Sequence, residues 1–438
     1  MSNIANNLET TREMKDSNIE WIGEIPVGWE VGKVKYAFIR KNSKAQQENA
    51  IVLRLARSGI QIRNIENNEG QLAESYFNYN PVEVGDLLLN PMDLQSGANC
   101  NISYVTGVIS PAYINLRAKN GFVARYYDYY FKTQYWSYAF FAHGKGVSFD
   151  NRWTLNNETI QNYHIPIPPM REQQAIARYL DEHVAKIDEL IAEQNQAIEN
   201  WKAYKQSLIT ETVTKDTKGL NSNVEMKDSG IEWIGVIPKE WNIVTLGEFI
   251  DFINGFAFDS GDLILEGDVS VIRISDIQNG TINYKSCLKT NNNNFGKSYI
   301  KNKDILLAMS GGTTGKTAFV EQINQIVAAN QRVGIIRLKK NAPKYVYYCL
   351  NSKNFKEYVD LLSMGSAQPN ISTKSMKTYK ITLPPIHEQQ AIADFLDEKC
   401  SKIDQIINRK QIFIEQLEEY KQSLIYECVT GKRCVEER

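Results

Sequence analysis

The chain has 438 residues, 42% of them hydrophobic and 23% charged, with a net charge of −1, an ordinary globular composition at a length that suits two or three domains. No apolar run approaches the roughly 18 residues of a membrane helix, and the polar opening Met1 to Asp16 lacks the apolar stretch of a signal peptide, so the protein is expected in the cytoplasm. The six cysteines lie far apart or in helical contexts without a CxxC, and the four histidines do not pair at ligand spacing, so neither a disulfide framework nor a metal site is expected.

Residues 14–29 read MKDSNIEWIGEIPVGW. The block that follows, 30–164, has strand-like runs at Ile51–Leu55, Asp86–Leu89 and Tyr113–Leu116. An aromatic helical stretch then runs from Arg125 to Phe141, and its helical spacing marks it as core. A glycine loop, His143-Gly144-Lys145-Gly146-Val147-Ser148, leads into Asn151-Arg152-Trp153. Asn78-Tyr79-Asn80-Pro81 has the wrong residue order for an amino-methyltransferase tetrapeptide, and no glycine-rich cofactor loop precedes it.

Pro168-Pro169 opens a long helix with no internal proline or glycine until past residue 213. Leu180, Val184, Ile187, Ile191, Gln194, Ile198, Trp201, Lys205 and Leu208 alternate in steps of four and three, which is a heptad seam. A helix of ~43 residues spans on the order of 65 Å. The Gln-Gln-Ala-Ile-Ala opening lies off the seam and is expected to form a docking surface.

The chain then repeats itself. Residues 226–241 read MKDSGIEWIGVIPKEW, 212 positions after the first copy. The second block, 242–380, has strand-like runs at Val269–Ile274, Asp304–Leu307 and Val333–Leu338, and an aromatic helical stretch from Tyr345 to Leu362. Its loop, Met364-Gly365-Ser366-Ala367-Gln368-Pro369-Asn370, runs on to Ser372 and Lys374. The second long helix follows Pro384-Pro385 at an offset of 216 from the first, with its seam at Leu396, Cys400, Ile403, Ile407, Lys410, Ile414, Leu417, Lys421 and Leu424. The two seams are expected to pair antiparallel, with Gln194, Lys205, Lys410 and Lys421 fixing the register at some cost in stability.

Ser310-Gly311-Gly312-Thr313-Thr314-Gly315-Lys316-Thr317 comes close to a phosphate-binding P-loop, but serine stands where the pattern needs its first glycine and no Walker-B run follows. A loop that donates backbone N–H groups to a nucleic-acid phosphate fits better. No catalytic constellation stands out.

The contrast between constant and variable parts carries the function. The framework segments match closely, whereas the two blocks barely resemble each other. Block 30–164 holds 14 Lys and Arg against 11 Asp and Glu, and block 242–380 holds 17 against 11. The remainder is acidic, with 19 against 29. Mildly basic blocks on an acidic frame suit two surfaces that touch phosphates. From strand ends and loops, Arg54, Arg57, Arg152, Arg273, Gln278, Lys316, Gln368, Asn370 and Lys374 are the candidate DNA contacts, since Arg suits guanine and Asn or Gln suits adenine.

The Ile-Glu-Trp-Ile-Gly…Ile-Pro…Trp segments (19–29, 231–241), the Pro-Pro…Glu-Gln-Gln-Ala-Ile-Ala…Leu-Asp…Lys-Ile-Asp helices (168–188, 384–404), the Lys-Gln-Ser-Leu-Ile closings (205–209, 421–425) and the Gly85-Asp86-Leu87-Leu88 and Lys303-Asp304-Ile305-Leu306 strands together resemble the specificity subunits (S, HsdS) of Type I restriction–modification enzymes. The resemblance covers nearly the whole chain. It implies two α/β (α+β) target-recognition domains, 1–164 and 216–380, joined by two long antiparallel coiled-coil helices, 165–215 and 381–438, in a pseudo-twofold repeat. It also implies a non-catalytic, sequence-specific DNA-binding subunit that reads a bipartite site in double-stranded DNA, its helices acting as a ruler for the gap. Such a subunit docks two modification subunits, which are adenine-N6 methyltransferases that bind S-adenosylmethionine, and restriction subunits that cut DNA with ATP and magnesium. No cofactor is expected in this chain. Block one departs from the family style at Asn90–Asn99, where Pro-Met-Asp-Leu-Gln-Ser-Gly-Ala replaces the serine–glycine–threonine–glycine loop of block two. Two alternatives stay open: a specificity subunit for an enzyme that fuses methyltransferase and nuclease, and a P-loop NTPase with a coiled-coil arm.

Overall fold

Two proline-free stretches of more than forty residues, each carrying a heptad seam, dictate the main elements: helices Met170–Lys215 and Ile386–Val429 in a computed structural model of the chain. The structure describes residues 12–435 apart from 48, 57, 66–72, 74, 93, 95–99, 147–152, 216–224, 341 and 364–369. The chain divides into two units, Met1–Gln194 with Ile412–Arg438, and Asn195–Gln411. Each unit is an α/β domain packed on half of each long helix.

In the first unit the sequence opens as a hairpin, Met14–Asp16 against Glu24–Pro26, with Met14 opposite Pro26. The main sheet has four antiparallel strands in the order Phe38–Arg40, Ile114–Ala118, Leu87–Leu89 and Cys100–Ile102. Strand Leu87–Leu89 is buried on both faces and so reads as a continuous apolar run. The aromatic stretch forms helix Ala124–Trp136 and a short second helix, Ala139–Ala142. The single helix expected over 125–141 breaks at Tyr138, whose φ of 59° lies in the left-handed region and ends the helical run. Tyr126, Tyr127, Tyr129, Tyr130, Phe131 and Tyr135 are all buried and form the core with Trp29, Leu180 and Leu424.

The second unit repeats this plan. Met226–Asp228 pairs with Val236–Pro238 in the same register as the first hairpin. The main sheet orders Ile250–Asn254, Val333–Leu338, Ile305–Ala308 and Thr317–Phe319, all antiparallel. A three-stranded sheet, Leu288–Thr290, Val269–Ile272 and Ile326–Ala329, enlarges the unit and contains one parallel pair. The expected helix over 345–362 is again two, Pro343–Cys349 and Lys353–Ser363, parted by a turn in which the buried Ser352 hydroxyl bonds the Cys349 carbonyl.

The framework residues repeat their contacts at the offset seen in sequence. Trp29 donates its indole N–H to Glu172 at 2.8 Å, and Trp241 donates to Glu388 at 2.9 Å. Gln173 accepts from the Val123 amide and donates to the Pro168 carbonyl, while Gln389 does the same with Ala342 and Pro384. Asp181 pairs with Arg125 and Tyr129, and Asp397 with Lys344 and Tyr348. Asp86 and Asp304, both buried at the start of a central strand, meet Arg117 at 2.5 Å and Arg337 at 2.6 Å.

Within each unit the two helix halves run antiparallel. In the first unit Lys421 pairs with Asp188 at 2.8 Å, while the buried Tyr126, one helical position from the Arg125 that holds Asp181, donates to the carbonyl of Val429. In the second, Lys205 pairs with Asp404 at 2.6 Å, and Tyr345, flanked by the Lys344 and Tyr348 that hold Asp397, reaches the carbonyl of Val213. Two of the four polar seam positions, Lys205 and Lys421, thus each answer an aspartate on the opposing helix. Burial holds the hydroxyls of Tyr126 and Tyr345 well above the usual phenol range, so both remain hydrogen-bond donors.

Along the seam, Leu180, Ile187 and Leu424 are buried in the core of the first unit, with Val184, Ile191 and Leu417 packed against it. Leu396 and Cys400 lie in the core of the second unit with Leu208 packed on it. Ile198, Ile403 and Ile414 are buried as well, and Ile407 and Trp201 are half-buried.

Candidate nucleic-acid interface

A concavity on the second unit arises where three backbone turns meet. Strand Ile305–Ala308 ends in Met309-Ser310-Gly311-Gly312, and strand Val333–Leu338 is preceded by Gln331-Arg332. The segment Asn370-Ile371-Ser372-Thr373 closes against both. These are tied together by an isolated bridge between Ser310 and Asn370, by the Ile371 amide on the Met309 carbonyl at 2.8 Å, and by the Met309 amide on the Arg332 carbonyl at 2.9 Å. With Asn254 they line a groove of about 1050 Å³. Its lining among the described residues carries amides, hydroxyls and one guanidinium, and no carboxylate. Such a surface accepts electron-rich edges and anions.

The sequence candidates divide among three environments. Asn370 lines the groove, and Lys316 and Lys374 are exposed on the segments that form it, the loop after strand Ile305–Ala308 and the helix Thr373–Thr378. Arg273 and Gln278 are engaged internally. The Arg273 guanidinium meets Asp276 and the Ser286 carbonyl, and the Gln278 amide donates to the Ser275 carbonyl. Arg54 is exposed on the hairpin Leu53–Ala56 with Gly59–Ile62, where it donates to Gln61. Arg57, Arg152 and Gln368 lie outside the described residues.

The P-loop reading needs correction. The glycine loop joins two antiparallel strands, Ile305–Ala308 and Thr317–Phe319, so no helix N-terminus follows the lysine to face a phosphate. The amides of Thr314, Gly315 and Lys316 are also used within the loop, on the carbonyls of Gly311, Ala308 and Thr313. Gly311 and Gly315 each have φ of 85°, which a side chain would strain. Among the described residues no group of three or more His, Cys, Asp or Glu is placed to hold a metal ion.

Sequence reasoning missed Asn254, Gln331, Arg332 and Thr373. The signal for two of them was present: Asn330-Gln331-Arg332 is a polar triplet that interrupts the apolar runs Ile326–Ala329 and Val333–Leu338. The Gln-Gln opening of the long helices also turns out differently. Gln173 and Gln389 are 1% exposed and serve their own units, as do the buried Ala175, Ile176 and Ala177, whereas Gln174, Gln390 and Ala391 are exposed.

Uncovered apolar surface lies further along the helices. In the second unit Trp201, Tyr204, Leu208, Ile403 and Ile406 line a shallow cavity of about 550 Å³, with Lys399 and Lys402 at its edge. The equivalent positions in the first unit include Leu417, Tyr420 and Leu190, and the last two are exposed. No helix among the described residues is long and apolar enough to cross a membrane.

Comparison with known proteins agrees with this arrangement. The chain is 28% identical over 361 residues to the Type I restriction enzyme MjaVIII specificity subunit of Methanocaldococcus jannaschii, covering 80% of each. It is 23% identical over 449 residues to the Type I restriction enzyme EcoBI specificity subunit of Escherichia coli, covering 97% of this chain and 90% of that one. A chain solved in work on complex assembly and conformational transition of the type I R-M system shares the fold with a TM-score of 0.68 and 13% identity, over 92% of this chain and 98% of the other. The Type I restriction modification DNA specificity domain matches residues 104–200 and 238–416. Two α/β units on paired helices, and a match across more than half the sequence, place this chain in the Type I restriction–modification DNA-specificity family, as a non-catalytic specificity subunit.

Proposed function

We propose that the chain reads a bipartite sequence in double-stranded DNA, one half-site through each recognition domain, 1–164 and 216–380, and presents that DNA to partner subunits in the cytoplasm. The observation that carries this is the contrast within the repeat. The main framework contacts recur 212 to 220 residues on, from Trp29 with Glu172 to Asp86 with Arg117, whereas the exposed turns between them differ. Asn370, Lys316 and Lys374 in the second unit and Arg54 in the first are the DNA contacts among the described candidates that this reading favours, because their side chains are exposed or line the groove. Arg273 and Gln278 would have to give up internal bonds to join them.

The partners in this reading are two adenine-N6 methyltransferase subunits, with S-adenosylmethionine, and ATP- and magnesium-dependent restriction subunits. Side chains at equivalent places, the exposed Tyr204 with Ile406 and the exposed Tyr420 with Leu190, suit two like partners on the helices. The helical residues between the domains would set a constant gap in the DNA. The same features would serve an enzyme that fuses methyltransferase and nuclease, and a neighbouring gene for such a fusion would favour that version. The test is to co-express the chain with its modification subunit in a methylation-free host and map N6-methyladenine. A split motif with one gap length, lost when the chain is omitted, is the expected result. Methylation that is independent of the chain, or absent despite an assembled complex, would overturn the proposal.

A further inference from the structure

We propose that Arg332, with Gln331 beside it, reads a guanine in the half-site of the second unit. The inference rests on the DNA-reading proposal above and names the residue that does the reading.

The block 242–380 contains three arginines, and the structure accounts for two of them inside the fold. Arg337 meets the buried Asp304 at 2.6 Å, and Arg273 meets the buried Asp276 at 3.2 Å. Arg332 differs: it is exposed, and its guanidinium has no hydrogen-bond or ion-pair partner among the described residues. It also lines the groove, whose described lining holds no carboxylate to neutralise it.

The backbone beneath it is held from several sides. The Asn330 amide donates to the Ile272 carbonyl at 2.9 Å, the Val333 amide to Asn330 at 2.8 Å, and the Met309 amide to the Arg332 carbonyl at 2.9 Å. Gly255 packs so closely on this turn that a Cβ there would lie 2.0 Å from the Asn330 carbonyl oxygen. With no partner among the described residues, the guanidinium offers its planar fork of donors, from a fixed backbone, to a ligand in the groove.

The company it keeps selects a base edge over a phosphate. Among the described residues no lysine lines the groove, whereas Asn254, Gln331 and Asn370 contribute side-chain amides that both donate and accept. Arg bonded twice to the O6 and N7 of guanine in the major groove, beside an amide-bearing residue, is the pairing that geometry allows. Counting back five residues from the arginines of the two buried ion pairs puts Ala112 in the first unit where Arg332 stands in the second, and Pro111 where Gln331 stands. The device therefore belongs to one half-site only.

The experiment uses the complex with its modification subunit and duplexes that carry the motif mapped by methylation. Binding is compared for wild type, Arg332→Ala and Arg332→Lys, each on the native duplex and on duplexes with one guanine at a time replaced by adenine or 7-deazaguanine. At one guanine of one half-site, wild type should lose affinity about 5- to 150-fold on replacement. Both variants should bind the native duplex more weakly by a similar factor and be nearly indifferent to that replacement. Bases of the other half-site should matter equally to all three proteins, and unchanged melting temperatures and co-purification show that the variants assemble. Full affinity with Arg332→Lys would reduce the residue to a phosphate contact and overturn the inference. So would a variant that keeps the wild-type penalty at every guanine, or a half-site without guanine on either strand. Failure of the wild-type complex to bind any split duplex would instead strike the DNA-reading proposal itself.

Discussion

The turn before the last central strand differs in chemistry between the two units. Pro111-Ala112 in the first unit carries no polar side chain, whereas Gln331-Arg332 in the second carries an amide and a guanidinium. Five residues further on, the units become alike again, with Arg117 on Asp86 and Arg337 on Asp304. On the proposed reading, this fold separates its stability from its specificity within a single strand. Buried ion pairs, indole–carboxylate bonds and tyrosine cores hold each unit, and the exposed turns are free to change.

Breaking the shared framework should cost both units alike. Trp29→Ala and Trp241→Ala each remove a buried indole and its bond to the long helix, so each should destabilise its unit by about 3–5 kcal/mol in urea unfolding. A large difference between the two would show that the repeat is not energetically equivalent. Arg337→Met leaves the buried Asp304 without its cation and should cost about 3 kcal/mol, discounted because Arg337 itself is partly exposed. Arg117→Met should match it, or fall slightly short where Lys41 also reaches Asp86 at 3.1 Å. The size of that gap, read from parallel denaturant curves, measures what the extra lysine contributes.

Smaller effects sharpen the comparison. Tyr126→Phe removes the hydroxyl that donates to the Val429 carbonyl and should lower stability by about 1–2 kcal/mol. Tyr345→Phe should be similar, since its hydroxyl serves the Thr382 carbonyl at 3.0 Å as well as Val213. The helix-pair bridges Lys205 with Asp404 and Lys421 with Asp188 are partly solvated, so Lys205→Ala and Lys421→Ala should each change stability by about 1 kcal/mol or less. Their role would be register, and a small heptad-breaking deletion in one helix should therefore alter assembly or the DNA gap far more than either substitution alters melting.

Much of the framework was legible in the sequence because the chain supplies its own comparison. Two copies of one scaffold exposed the hairpin motif, the helix openings and the seams, and periodicity alone places Leu180 and Leu396 inward. The breaks at Tyr138 and at Leu350–Ser352 were not legible, because a left-handed residue or a single turn leaves no mark in an aromatic pattern. The groove was only partly legible. Asn370 was reachable as a polar loop residue, whereas Arg273 looked equally exposed until the structure paired it with Asp276, three residues on. Arg332 was missed because charge alone does not tell a free arginine from an engaged one. Partners at strand spacing across a sheet, such as Asp304 and Arg337, emerge only when the strands are aligned.

The most direct test of this division of labour is a methylome of a block exchange. Residues 30–164 are replaced by the corresponding block of another specificity subunit, and the hybrid is co-expressed with the modification subunit in a methylation-free host. The account predicts a motif that changes in one half only, with the other half and the gap length intact. A motif altered in both halves, or a changed gap, would mean that the framework and the recognition surfaces are not separable and would contradict it.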